Sequence, residues 1–130
     1  MRQYIVDIAE YAPLSAADEL RLLDTIARGT TAQAELEALG PDSLSPIGEE
    51  LRDEVAKGQD AQRTLTQSNL RLVVDIARDY EPTGRSLLSL VQAGNRGLPQ
   101  AIDTFDRRAG RGFRNHLSSA VREAITSSAH

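Results

Sequence analysis

The sequence predicts an all-α fold, a helical bundle in a single domain over residues 1–130. Apolar residues recur at helical spacing along most of the chain. Glycine and proline fall in short clusters that separate those stretches. Nothing alternates apolar and polar residues as a strand would, and no internal repeat or low-complexity tract is present.

In chain order, "QYIVDIAEY" is short and apolar enough to dock against a core, and Pro13 stops it. "LSAAD" then starts a helix, with Ser15 as N-cap and Asp18 three residues on as its capping-box partner. Leu20, Leu23 and Ala27, flanked by Leu22 and Ile26, form the apolar stripe, and Gly29 suits a C-terminal cap. Residues 30–39 read as a second short helix. "GPDSLSPIG" at 40–48, with two prolines and two glycines, reads as a loop. "EELRDEVAK" resumes the helix, and Gly58 is expected to interrupt it. From Asp60 to Tyr80 runs the strongest helical pattern, with Leu65, Leu72 and Ile76 along one side and Leu70, Val73, Ala77 and Tyr80 beside them. "EPTG" at 81–84 is a turn. Residues 86–106 are helical but contain Pro99, which removes a backbone bond and crowds the carbonyl four residues back. A kink is expected there, or a break with Pro99 in the first turn of a new helix. "RRAGRG" at 107–112 is a loop. Residues 114–127 close the chain with a helix that uses Leu117, Val121, Ala124 and Ile125.

Composition narrows the function. The chain is 40% hydrophobic and 26% charged, ordinary for a globular protein with a real core. No apolar run approaches the roughly 20 residues of a membrane span, and "MRQYIVDIAEYAPLS" lacks the apolar centre of a signal peptide, so neither membrane insertion nor export is expected. The absence of cysteine excludes disulfides and thiolate metal sites and fits a reducing cytoplasm. His116 and His130 are the only histidines and have no metal-ligand spacing, so no metal is expected. Ser118 and Ser119 have no histidine–carboxylate pattern around them, and no cofactor motif is present, so no enzyme is expected.

Charge is unevenly placed. Residues 1–60 hold five basic against thirteen acidic side chains, net −8, and residues 61–130 hold ten against six, net +4. An acidic N-terminal layer is therefore expected beside a basic C-terminal one. The tail segment "FDRRAGRGFRNHLSSAVREAI" concentrates this, with five arginines between 107 and 122 and no acid among them. Those arginines suit phosphate, but they also suit a solvated loop or pairing with the acidic layer. The only aromatics in the segment are Phe105 and Phe113, both fitting core anchors.

Two stretches are more specific. "LTQSNLRLVVDIARDY" (65–80) and "LLSLVQAGNRGLPQAIDTFD" (87–106) resemble region 2 of the sigma-70 family of bacterial RNA polymerase sigma factors. That family has a run like Asn-Leu-Arg-Leu-Val-Val, a turn, Asp-Leu-Ile-Gln-Glu-Gly-Asn-x-Gly-Leu, and then Phe-Asp. Asn69, Leu70, Arg71, Leu72, Val73 and Val74 match the first run. Leu90, Gln92, Gly94, Asn95, Gly97, Leu98, Phe105 and Asp106 match the rest. "PLSAADELRLLDTIARG" resembles the family's region 1.2. The resemblance thus divides the chain into a region 1.2-like part (1–29), a variable insertion (30–58) and a region 2-like part (59–130).

The resemblance implies partners. In that family the second of these helices docks on a coiled coil in the clamp of the polymerase's largest subunit. By that likeness the polymerase-binding residues are Leu88, Ser89, Val91, Gln92, Asn95 and Arg96. The following loop and helix capture the non-template strand of the promoter −10 element, holding a flipped adenine while aromatic side chains wedge the duplex open. By that likeness the DNA-binding residues are Arg107, Arg108, Arg111, Arg114, Asn115, His116, Ser119, Arg122 and Glu123.

The departures are as informative. Where the family carries a tryptophan pair this chain has Ser119 and Ala120, and where it carries a tyrosine it has His116. Two further aromatic positions are Arg107 and Arg111, and a glutamine near the upstream edge of the element is Glu123. On the docking helix, an aspartate and a glutamate of the family are Ser89 and Ala93. A base leaves its stack only for another stacking surface, worth roughly 1–3 kcal/mol per base. Two readings follow. One is an initiation module that docks on core polymerase and contacts −10 DNA. The other is a sigma-like interaction protein that binds polymerase or an anti-sigma protein without melting promoters. The family's helix-turn-helix for the −35 element has no counterpart in these residues, which suits an excised domain and equally a protein without upstream promoter reading.

Overall fold

The computed structural model describes residues 14–106, 108, 110 and 112–128. The expected N-terminal segment at 3–11, its stop at Pro13, and Arg107 and Arg111 lie outside the described residues. Among the described residues there are six α-helices and no strand, as the all-α reading expects. The described residues divide into two compact units, one over residues 17–65 and the other over residues 66–128 with residues 14–16.

The first unit is a hairpin of two long helices, α1 (Ala16–Leu39) and α2 (Pro46–Ser68), the last three residues of α2 falling past the division. Helix α1 starts directly after Ser15, with Asp18 and Glu19 in its first turn, where carboxylates favour the helix dipole. Its buried face is Glu19, Leu23, Ile26, Gly29, Ala32 and Leu36, a three-and-four spacing that places them on one stripe.

Gly29 does not end α1, and Gly58 does not interrupt α2; 30–39 is therefore no separate helix. A Cβ on Gly29 would lie 2.9 Å from the Gly58 Cα, and one on Gly58 would lie 3.0 Å from the Gly29 Cα. The two glycines let the backbones touch where the helices cross. Each gives up about 1 kcal/mol of helix propensity relative to alanine, offset by that close packing. Gly40, at φ 118°, is the residue that stops α1. The loop is shorter than expected, since Pro46 occupies the first helical position, where its missing N–H costs nothing.

The second unit packs four shorter helices: α3 (Leu70–Arg78), α4 (Leu87–Asn95), α5 (Gly97–Thr104) and α6 (Phe113–Ser127). The helix expected over 60–80 is broken at Asn69, a buried residue with φ −105° and ψ 4°. Asparagine is among the residues that favour caps and turns over helix interiors. Helix α3 buries Val73, Val74, Ile76 and Ala77, leaving Leu70 and Leu72 half-buried, so its inward face is rotated from the expected stripe. "EPTG" forms a single 3-10 turn (Glu81–Thr83) closed by Gly84 at φ 92°. The Ser86 hydroxyl caps α4, accepting from the Ser89 N–H at 3.1 Å. Of the two outcomes expected at Pro99, the break is observed: the chain turns at Arg96 and Pro99 is the third residue of α5. Helix α6 packs against α3, α4 and α5 and buries Phe113, Leu117, Ala120, Val121 and Ile125, while Ala124 is only half-buried. No helix among the described residues is long and apolar enough to cross a membrane.

Candidate functional site

Helix α4 divides cleanly between inside and outside. Leu90, Val91, Ala93 and Gly94 face the core. Leu88, Ser89, Gln92 and Arg96 are exposed, and Asn95 is half-buried. Val91, expected on the partner-facing surface, is 1% exposed and cannot meet a partner without opening the unit. This correction follows from geometry: Val91 lies three residues from Gly94 and two from Ala93, on the stripe that α3 and α6 cover.

The glycines of "GNRG" fix how closely that stripe is covered. A Cβ on Gly94 would lie 2.9 Å from Val73 Cγ1 of α3 and 3.0 Å from Val121 Cγ1 of α6. A Cβ on Gly97 would lie 2.7 Å from the Ala120 carbonyl oxygen. The corner between α4 and α5 therefore rests on the α6 backbone, which locks the exposed edge of α4 relative to α6.

On α6, Asn115, Ser119, Arg122 and Glu123 are exposed and share one face at i, i+4, i+7 and i+8. Arg114 and His116 are half-buried. His116 is tied into the fold: its Nε2 lies 2.8 Å from the Thr104 hydroxyl. That hydroxyl donates to the Gln100 carbonyl at 2.8 Å, leaving its lone pairs for an Nε2–H of the imidazole. The His116 ring sits 5.7 Å from Phe105, which meets Phe113 edge-on at 5.4 Å and 88°. These three rings join the end of α5 to the start of α6, so the aromatic surface in this segment is used for packing.

The cations on this side are partly engaged. Arg108, its side chain 94% exposed, has Nε 3.6 Å from Asp106 Oδ1, and its backbone N–H donates to the same oxygen at 2.9 Å. Arg122 reaches Asp79 at the end of α3, at 3.4 Å, a solvent-screened pair of small energetic weight.

Sequence reasoning missed Arg85. Its guanidinium donates to the Ile125 carbonyl at 3.1 Å and to the Ser128 hydroxyl at 2.9 Å, capping the C-terminal end of α6. The adjacent Ser86 caps the N-terminus of α4. One dipeptide thus pins the start of the candidate docking helix and the end of the candidate DNA-facing helix. No local signal announces it, because its partners lie 40 and 43 residues along the chain. Among the described residues, no cluster of histidine, aspartate and glutamate is arranged to hold a metal ion.

Residues 65–129, which take in α3 to α6, match the family model for sigma-70 region 2. The chain belongs to the sigma-70 family. Its similarity to individual sigma-70 proteins extends further along the sequence. It is 40% identical over 125 residues to the RNA polymerase principal sigma factor HrdD of Streptomyces viridifaciens, covering 96% of this chain and 38% of that protein. It is 38% identical over 125 residues to HrdD of Streptomyces coelicolor. To the principal sigma factor HrdC of Streptomyces coelicolor it is 35% identical over 126 residues, covering 95% of this chain and 37% of that protein. The chain thus spans a little under four-tenths of the length of these sigma-70 relatives. Within the matched segment, the two glycines at 94 and 97 are packing requirements, and Gln92 and Arg96 beside them are exposed.

Proposed function

We propose that this chain is a transcription-initiation module that docks on bacterial RNA polymerase in the cytoplasm through the exposed edge of α4 and touches promoter −10 DNA through α6. The observation that carries this reading is the region 2 match over 65–129, whose docking helix keeps Leu88, Ser89, Gln92 and Arg96 at the surface, with Asn95 half-buried beside them. The curated relatives are RNA polymerase sigma factors by name, which supports polymerase as the partner.

DNA contact on this reading is electrostatic more than stacking. The chain has no tryptophan, and the exposed face of α6 offers Asn115, Ser119 and Arg122 where an unstacked base would need a ring. Arginines 108, 114 and 122 attract phosphate in a salt-dependent way, and Glu123 on the same face opposes it. Docking therefore supplies more of the binding free energy than promoter opening.

Core polymerase binding by the wild type and by a Gln92→Ala/Asn95→Ala double variant tests the docking surface. About thirtyfold weaker binding is expected, from two lost hydrogen-bonding side chains near 1 kcal/mol each. Undiminished binding removes α4 from the reading. A fluorescent single-stranded −10 oligonucleotide titrated across salt tests the second half. Weak binding that falls steeply with salt is expected, whereas tight, sequence-selective binding shows that base capture survives without the rings.

A further inference from the structure

The hairpin of residues 17–65 ends in a surface that the docking and DNA readings leave unused. Leu39 closes α1, Leu44 sits in the loop and Ile47 lies in the first turn of α2, and they are 47%, 87% and 62% exposed. Among the described residues they are three of the four large hydrophobic side chains found exposed, and they fall within nine residues at one end of the hairpin.

The loop that carries them is built to hold its shape. The Ser43 and Ser45 hydroxyls lie 2.8 Å apart, and the Ser45 hydroxyl accepts from the Gly48 N–H at 3.1 Å, capping α2. The Ser43 N–H donates to the Gly40 carbonyl at 3.0 Å, and Arg52 donates to the Pro41 carbonyl at 3.4 Å. Gly48 tucks beneath Ser43, where a Cβ would lie 2.9 Å from the Ser43 carbonyl oxygen. A slack loop would fold Leu44 onto the nearest apolar surface; this one holds it in water. Holding an apolar group ready lowers the ordering cost of binding.

Charge selects the partner. Glu35, Glu37, Asp42, Glu49 and Glu50 are exposed around this end, and Arg52 is the only basic residue between 35 and 52. Such a rim repels nucleic acid and anionic lipid, and it attracts lysine and arginine.

We propose that the distal end of the α1–α2 hairpin is a docking surface for a basic amphipathic helix of another protein. Its apolar stripe would cover Leu39, Leu44 and Ile47, and lysine or arginine on either side of that stripe would meet the carboxylate rim. Its residues are not those used by the α4 and α6 readings, and its test does not depend on polymerase binding.

The probe is a fluorescein-labelled helical peptide of leucine and lysine with one apolar stripe, titrated against the full chain by anisotropy. A scrambled isomer without the stripe and a twin with glutamate for lysine are run beside it. Saturable binding of the striped basic peptide is expected, at least about tenfold tighter than either control, the difference made by one well-placed apolar contact or a few charge pairs. It weakens with salt. Leu44→Ser/Ile47→Ser lowers that affinity at least about fivefold while helicity and melting temperature hold, since both residues are exposed. Absence of saturable binding overturns the proposal, as does equal binding by the scrambled peptide or by the double variant. Self-association of the free chain that this variant abolishes also overturns it, by assigning the surface to a second copy.

Discussion

The two units use glycine for the same purpose with different consequences. In the hairpin, Gly29 and Gly58 bring two long helices into backbone contact at one crossing, and most of the remaining surface of both helices stays in water. In the region 2 unit, Gly94 and Gly97 seat a corner of the fold against Val73, Val121 and the Ala120 backbone, with Leu90, Leu117 and Val121 fully enclosed nearby. The hairpin is held largely by local helical bonds and one seam. The four-helix unit is held by contacts from four directions, so its surfaces keep fixed relative positions, as a site built from two helices requires.

The sharpest way to break this contrast is Gly97→Val. Its branched side chain would have to displace the Ala120 carbonyl, 2.7 Å from the first added carbon. We expect a loss of about 3 kcal/mol or more in urea unfolding followed by circular dichroism. Next is Arg85→Ala, which leaves the Ile125 carbonyl and Ser128 hydroxyl without their guanidinium donor. A loss of about 2 kcal/mol is expected for charge-assisted bonds, together with faster amide exchange in the last turn of α6. Gly58→Ala comes third. Its methyl meets the Gly29 Cα at 3.0 Å, but the gain of about 1 kcal/mol in helix propensity offsets part of the crowding, leaving a net loss of about 1 kcal/mol. If Gly58→Ala costs as much as Gly97→Val, the hairpin is as tightly constrained as the four-helix unit and the contrast fails.

The smallest effect is expected at the hairpin surface. Lys57 pairs with Asp53 at 3.0 Å, and the hydrogen bond and charge of Asp53, followed by the charge of Glu54, raise its pKa above the ordinary lysine value. A raised cation favours the folded state below the ordinary lysine pKa and loses that contribution as pH rises through the raised one. Lys57→Ala should leave the melting temperature at neutral pH unchanged within error, since both side chains of the pair are exposed and the pair is screened by water. Any difference from wild type should shrink further in strongly alkaline buffer.

Much of this was legible in the residues. Ser15 before an apolar stripe marked a helix start, "EPTG" marked a turn, and Pro99 forced the break between α4 and α5. The matching run from Leu90 to Leu98 pointed to α4 as the candidate docking element, where Gln92 is exposed and Asn95 half-buried. What stayed hidden was tertiary. Glycine inside a helical pattern reads as a breaker, and only the opposing glycine shows that it serves close approach instead. Asn69 breaks a helix whose apolar spacing runs on through it. Val91 was placed at the surface by the family likeness alone, which does not show which residues of α4 turn inward. Arg85 acts on atoms that no local window contains.

The burial pattern of α6 also restricts where this tail could carry aromatic rings. Ser119 is exposed and gives up the bond from its hydroxyl to the Asn115 carbonyl, at 3.4 Å, if an indole replaces it, whereas Ala120 is 8% exposed, and a ring there has to displace the side chains packed around it. Placing two rings at 119 and 120 is therefore an unequal undertaking: one enters open water, and the other has to open a packed interior.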